Sequence, residues 1–136
     1  MPRILCIDYG LKRCGLAVTD PLQIIVTALT TVATATLFSF LEKYISEEKV
    51  EKIVFGHPVH KDGVDTYLVK DILHLEKLCK KKWPHLETDF QNESFTSTQA
   101  KRIMLESGMN RKKRQDKSMV DKISAVIILQ RYLKHI

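Results

Sequence analysis

Ile4-Leu-Cys-Ile-Asp-Tyr-Gly-Leu-Lys-Arg-Cys-Gly-Leu-Ala-Val-Thr-Asp-Pro21 decides the fold. Ile4 to Ile7 is wholly apolar, as expected of a strand covered on both faces. Tyr9 to Gly15 reads as a turn-rich link with glycines at 10 and 15. Leu16 to Thr19 then returns as a second strand, stopped by Asp20-Pro21. Ile24 to Val32 is rich in β-branched residues and reads as a third strand. Three strands joined by short links predict an antiparallel meander.

Beyond the meander the apolar period changes. Leu37, Phe40, Leu41, Tyr44 and Ile45 follow the stripe of an amphipathic helix. Ile53-Val-Phe-Gly56 reads as a buried strand, ended by His57-Pro58 and a polar loop to Gly63. Leu68, Ile72, Leu75 and Cys79 mark a second helix that Trp83-Pro84 stops. Leu86, Thr88 and Phe90 alternate with Glu87, Asp89 and Gln91, giving a fifth strand. Thr96 with Gln99 fits a helix-opening capping box, and Gly108 fits that helix's end. Ser118 opens the last helix. Strands separated by helices favour parallel pairing. The chain therefore reads as one α/β domain over residues 1–136, with a mixed five-stranded sheet and flanking helices.

With 136 residues and a net charge of +6, the composition is that of a globular domain, and the excess of cations favours an anionic partner. The apolar run Ala125 to Leu129 is far short of the roughly 20 residues that span a membrane. Met1-Pro-Arg leads straight into the first strand, so neither a signal nor a transit peptide is expected. Cys6, Cys14 and Cys79 lack CxxC spacing, so neither a disulfide framework nor a zinc knuckle is expected, and a cytoplasmic location is.

Three acids stand at element ends. Asp8 closes the first buried strand, at the carboxyl edge where open α/β sheets place ligands. Glu93 follows the fifth strand. Asp121 begins the last helix, and Ser118-x-x-Asp121 alone reads as a capping box with an acid favoured by the helix dipole. The apolar Ile123, Val126 and Ile127, with small Ser124 and Ala125, bring that helix end close against the sheet. Carboxylates gathered from separate segments form an all-oxygen cage suited to Mg²⁺ or Mn²⁺. Two such ions can activate a water and stabilise a leaving oxygen in phosphodiester hydrolysis. Arg111-Lys-Lys-Arg-Gln-Asp-Lys117 carries five cations against one anion just before Asp121. Arg111, Lys112, Lys113, Arg114 and Lys117, with Lys12 and Arg13 in the link after Asp8, are the expected phosphate contacts. Lys80-Lys-Lys82 suits a helix C-terminus and is read as structural.

Ile7 to Asp20 closely resembles the opening motif of the YqgF/RuvX family of Holliday-junction resolvases and ribosomal RNA maturation nucleases. Three more segments fall in that family's order: Ile53-Val-Phe-Gly-His-Pro-Val-His-Lys-Asp-Gly63, Asn92-Glu-Ser-Phe-Thr-Ser97, and Lys117 to Gln130. The resemblance covers essentially the whole chain. It implies a ribonuclease H-like fold and a metal-dependent triad at Asp8, Glu93 and Asp121, the same acids reached from placement. It also implies a nuclease acting on ribosomal RNA precursor or junction DNA, as monomer or homodimer. The chain departs from the family's Asp-Glu-Arg at Asn92-Glu93-Ser94, so the alternative is a weak or inactive nucleic-acid-binding module on the same fold. His57 and His60 replace the family's more usual Leu and Asn and make a poor zinc site. Asp62 stands in reserve should Glu93 not turn inward. A nucleotide-clamping ATPase would need a second such domain.

Overall fold

A computed structural model describes residues 2–57, 66–92, 96–108 and 117–135. Through these residues run β1 (Arg3–Asp8), β2 (Arg13–Thr19), β3 (Val26–Ala33), a 3-10 turn (Thr34–Thr36) and α1 (Leu37–Glu47). They are followed by β4 (Val50–His57), α2 (Thr66–Lys82), β5 (Glu87–Asn92), α3 (Thr96–Glu106) and α4 (Lys117–Tyr132). The strands form one sheet in the order β3-β2-β1-β4-β5. β1 and β3 run antiparallel to β2, whereas β4 lies parallel to both β1 and β5. This is the mixed sheet that the meander and the later helices predict.

Side-chain alternation along β1 divides the core into two layers. Leu5 and Ile7 join Leu16, Ile53 and Phe55 beneath α1 and α2, where Leu37, Leu41, Ile72 and Cys79 cover them. Ile4 and Cys6 face the opposite way, with Ala17 and Val54, under Ala125, Ile128 and Leu129 of α4. Each buried leucine or isoleucine contributes about 1.5–3 kcal/mol, so a strand apolar on both faces belongs at the centre. α3 joins α4 through Ala100 and Met104 against Val120 and Ile127.

Three strands start elsewhere than in the sequence reading, and of these β4 begins at Val50 rather than Ile53, with Val50 paired to Arg3. β2 begins at Arg13 because Arg13 and Cys14 pair with Ala33 and Val32, leaving only residues 9–12 as the link. Gly15 is therefore a strand residue rather than part of a turn. β3 begins at Val26, later than expected, because both Ile24 N–H and Ile25 N–H donate to Asp20 Oδ1 at 2.7 Å. That turn leaves both isoleucines exposed.

All three cysteines are buried. In the Lys80 to Lys82 run, Lys80 pairs with Glu76 and Lys82 with Glu42, in keeping with a structural role. No helix among the described residues is long and apolar enough to cross a membrane.

Candidate active site

Asp8 stands at the carboxyl end of β1 and continues the Ile4, Cys6 alternation, so it lies on the α4 side of the sheet. Its partner across the antiparallel ladder is Gly15. Directly over Gly15 lies the backbone of Asp121. A β-carbon at position 15 would overlap the Asp121 carbonyl and come within 3.1 Å of the Asp121 Cβ. Glycine thus removes the one side chain that would hold α4 away from the sheet. Asp8 sits beside this point and Asp121 above it.

Burial pushes the Cys14 thiol up from its ordinary pKa, while its hydrogen bonds to Thr34 and the Gly10 carbonyl pull the other way. The negative charges of Asp8 and Asp121 add a further upward push. Both carboxylates therefore act on a single side chain in β2.

Arg13 opens β2 two residues before Gly15 and shares its side of the sheet. Its Nε donates to Asp121 Oδ2 at 2.5 Å, a short charge-assisted bond. The two side chains are 35% and 26% exposed, so solvent screening limits the pair to about 1 kcal/mol at most.

Thr34 ties down the link between Asp8 and Arg13. Its Oγ1 donates to the Gly10 carbonyl at 2.6 Å, and its N–H donates to the Lys12 carbonyl at 3.0 Å. Gly10 is needed because a β-carbon there would lie 2.5 Å from the Arg13 carbonyl oxygen. Nothing in the local sequence around Thr34 marks it as this anchor, since its partners lie more than twenty residues earlier.

The capping reading of Asp121 fails on position. α4 already includes Lys117 and Ser118, and its first turn holds no acid. Asp121 lies farther along, against the sheet.

β5 is two places from β1, a lateral distance of about 10 Å at ordinary strand spacing. Its register pairs Gln91 with Gly56 and Asn92 with His57, just beyond the Ile7–Phe55 pair of β1 and β4. β5 therefore runs out at the same sheet edge as Asp8. Glu93 lies outside the described residues, as do His60, Asp62, Ser94 and the cations Arg111, Lys112, Lys113 and Arg114. Lys117 opens α4, His57 closes β4, and Lys12 is exposed in the link.

Among the described residues no three His, Cys, Asp or Glu side chains form a metal-sized group. Asp8 and Asp121 supply hard oxygen donors of the kind Mg²⁺ and Mn²⁺ accept, and the guanidinium already at Asp121 is a cation in that position. The donor set fits a divalent ion if a third oxygen ligand comes from outside the described residues.

The family model described as "RuvX: Holliday junction resolvase" matches residues 2–135. A protein of Phocaeicola vulgatus named "Putative pre-16S rRNA nuclease" is 47% identical over 134 residues, covering 98% of this chain and 96% of its own. A Flavobacterium psychrophilum protein of the same name is 44% identical, covering 98% and 97%. Among solved structures, T. thermophilus RuvC in complex with a Holliday junction substrate matches at TM-score 0.60 and 12% identity, over 99% of this chain and 96% of that one. The fowlpox virus resolvase with Holliday junction DNA matches at TM-score 0.60 and 12% identity, over 98% and 97%. At such identities these two report the fold, which is ribonuclease H-like.

Proposed function

The chain belongs to the RuvX family, and from that membership we propose that it is an endonuclease hydrolysing phosphodiester bonds in structured nucleic acid. The observation that carries the reading is that Gly15, the ladder partner of Asp8, lets the backbone of Asp121 pack directly over it. Asp8, Asp121 and Glu93 would hold one or two Mg²⁺ or Mn²⁺ ions. When bound, such ions would supply Lewis-acid charge to the phosphodiester and ease the loss of a proton from the attacking water.

The chain's own residues provide placement. The Asp8–Gly15 ladder pair fixes one carboxylate at the sheet edge, and the packing of α4 on Gly15 fixes the other. Lys12, Arg13 and the run Arg111, Lys112, Lys113, Arg114 and Lys117 would contact backbone phosphates. Affinity would then fall with salt by about 0.7–0.9 log units per contact for each log unit of salt.

The relatives' names make the ribosomal RNA precursor the first substrate to offer, and the structural neighbours make a four-way DNA junction the second. The deciding experiment presents precursor RNA, junction and plain duplex with Mn²⁺ or with EDTA. Cation-dependent cleavage of precursor or junction in preference to duplex is expected. Salt-sensitive binding with no cleavage in any cation would instead make the protein a binding module, the reading that Asn92 and Ser94 favour.

A further inference from the structure

We propose that Arg13 is the internal occupant of the Asp121 carboxylate, displaced when a divalent cation binds there and then free to engage a substrate phosphate. The inference rests on Asp121 being a cation ligand and assigns Arg13 a positioning role at that site.

Three observations support an exchange rather than a fixed structural pair. First, the backbone at both ends is held. Arg13 is paired with Ala33 and its carbonyl closes against Gly10, while Asp121 is seated on Gly15. Only side chains can move, and both are partly open to solvent. Second, the contact uses Oδ2 of Asp121, whose backbone lies over Gly15, the ladder partner of Asp8, so a cation drawn to both acids competes with the guanidinium. Third, a guanidinium stays charged at any physiological pH and cannot leave by losing a proton. It leaves only when another cation takes the carboxylate or another anion takes the guanidinium. A phosphate meets the second condition, because the guanidinium fork fits phosphate as well as it fits carboxylate. Substrate and cation thus favour the same rearrangement, which gives their binding a shared physical cause.

The test measures Mn²⁺ affinity without nucleic acid, by calorimetry or by the electron paramagnetic resonance of free Mn²⁺. Arg13→Gln is expected to bind Mn²⁺ about two- to five-fold tighter than wild type, the range for loss of a competitor in an exposed ion pair. Lys122→Gln removes the same charge one residue from Asp121 and is expected to change affinity by less. If Arg13→Gln fails to fold, Arg13→Met keeps the aliphatic stem and serves the same purpose. A purely structural Arg13 would leave Mn²⁺ affinity unchanged or lower it, and either result overturns the exchange. So does an equal gain in Lys122→Gln, which would be a general effect of charge.

A second readout is the salt dependence of junction binding. In Ca²⁺, Arg13→Gln should lower the slope by about 0.7–0.9, and in EDTA it should leave the slope unchanged. An equal drop in both overturns the exchange. Wild-type Mn²⁺ binding that survives both Asp8→Asn and Asp121→Asn is a different failure, since it removes the proposed site itself.

Discussion

The Asp121 carbonyl occupies the space that a β-carbon on Gly15 would need. The obstacle is backbone, so a new methyl cannot be accommodated by rotating a side chain. Gly15→Ala should cost about 1–3 kcal/mol or more by forcing α4 off β2, and should carry Asp121 away from Asp8. Urea unfolding and cleavage rate check the two effects together. Gly108→Ala is the contrast: nothing lies within 4 Å of it, and its φ of +79° alone sets a cost of about 1–2 kcal/mol with no effect on cleavage.

Ser124 follows Asp121 by one turn of α4 and is fully buried, and its Oγ has no hydrogen-bond partner among the described residues. A small residue is needed where α4 approaches the sheet, but a hydroxyl is not. Ser124→Ala should therefore raise stability by about 1 kcal/mol, read as a higher urea midpoint. A loss of stability would reveal a partner for the hydroxyl.

At the far end of α4, the Tyr132 hydroxyl donates to Asp89 Oδ2 at 2.7 Å and lies 2.9 Å from Lys52 Nζ. The hydrogen bond from Tyr132, then that from the Phe90 N–H, holds the Asp89 carboxyl below its ordinary pKa. A depressed carboxyl stabilises the fold above its unfolded value of about 3.9 and loses that contribution as pH falls through the folded value. Tyr132→Phe should thus be less stable than wild type at neutral pH, with the gap closing as pH falls below the ordinary carboxylate range. Asp89 is exposed, so screening keeps the gap under about 1 kcal/mol. Thermal melts across pH 2–7 give the comparison.

Burial also silences the thiols. It pushes Cys79 up to about 12 and raises Cys14 as well. A thiolate is the reactive form, so neither should react with a disulfide reagent at pH 8 until the protein is unfolded. Rapid labelling at Cys79 in the native chain would show that α2 opens readily.

Much of the fold was legible because its signals are local. The apolar β1, the β-branched β3 and the helical stripe from Leu37 each carry their own period, and the order of elements then implied a mixed sheet. The misread boundaries had non-local causes. Gly15 looks like a turn residue until α4, more than a hundred positions later, is laid across it. Ile24 and Ile25 look like strand until Asp20 captures their amides. Asp8 could be chosen from its position at the end of β1, and Asp121, farther inside α4 than expected, from the small and apolar residues that follow it, whereas the bond from Arg13 to Asp121 could not be read, because it depends on how two distant segments meet.

Cleavage by Asp8→Asn tests the central claim most directly. The variant should be purified alongside wild type and matched to it in unfolding midpoint and nucleic-acid affinity. With Mn²⁺ and the preferred substrate, it should cut no faster than wild type does in EDTA. Cutting at the wild-type rate would contradict a hydrolytic centre built on Asp8 and Asp121.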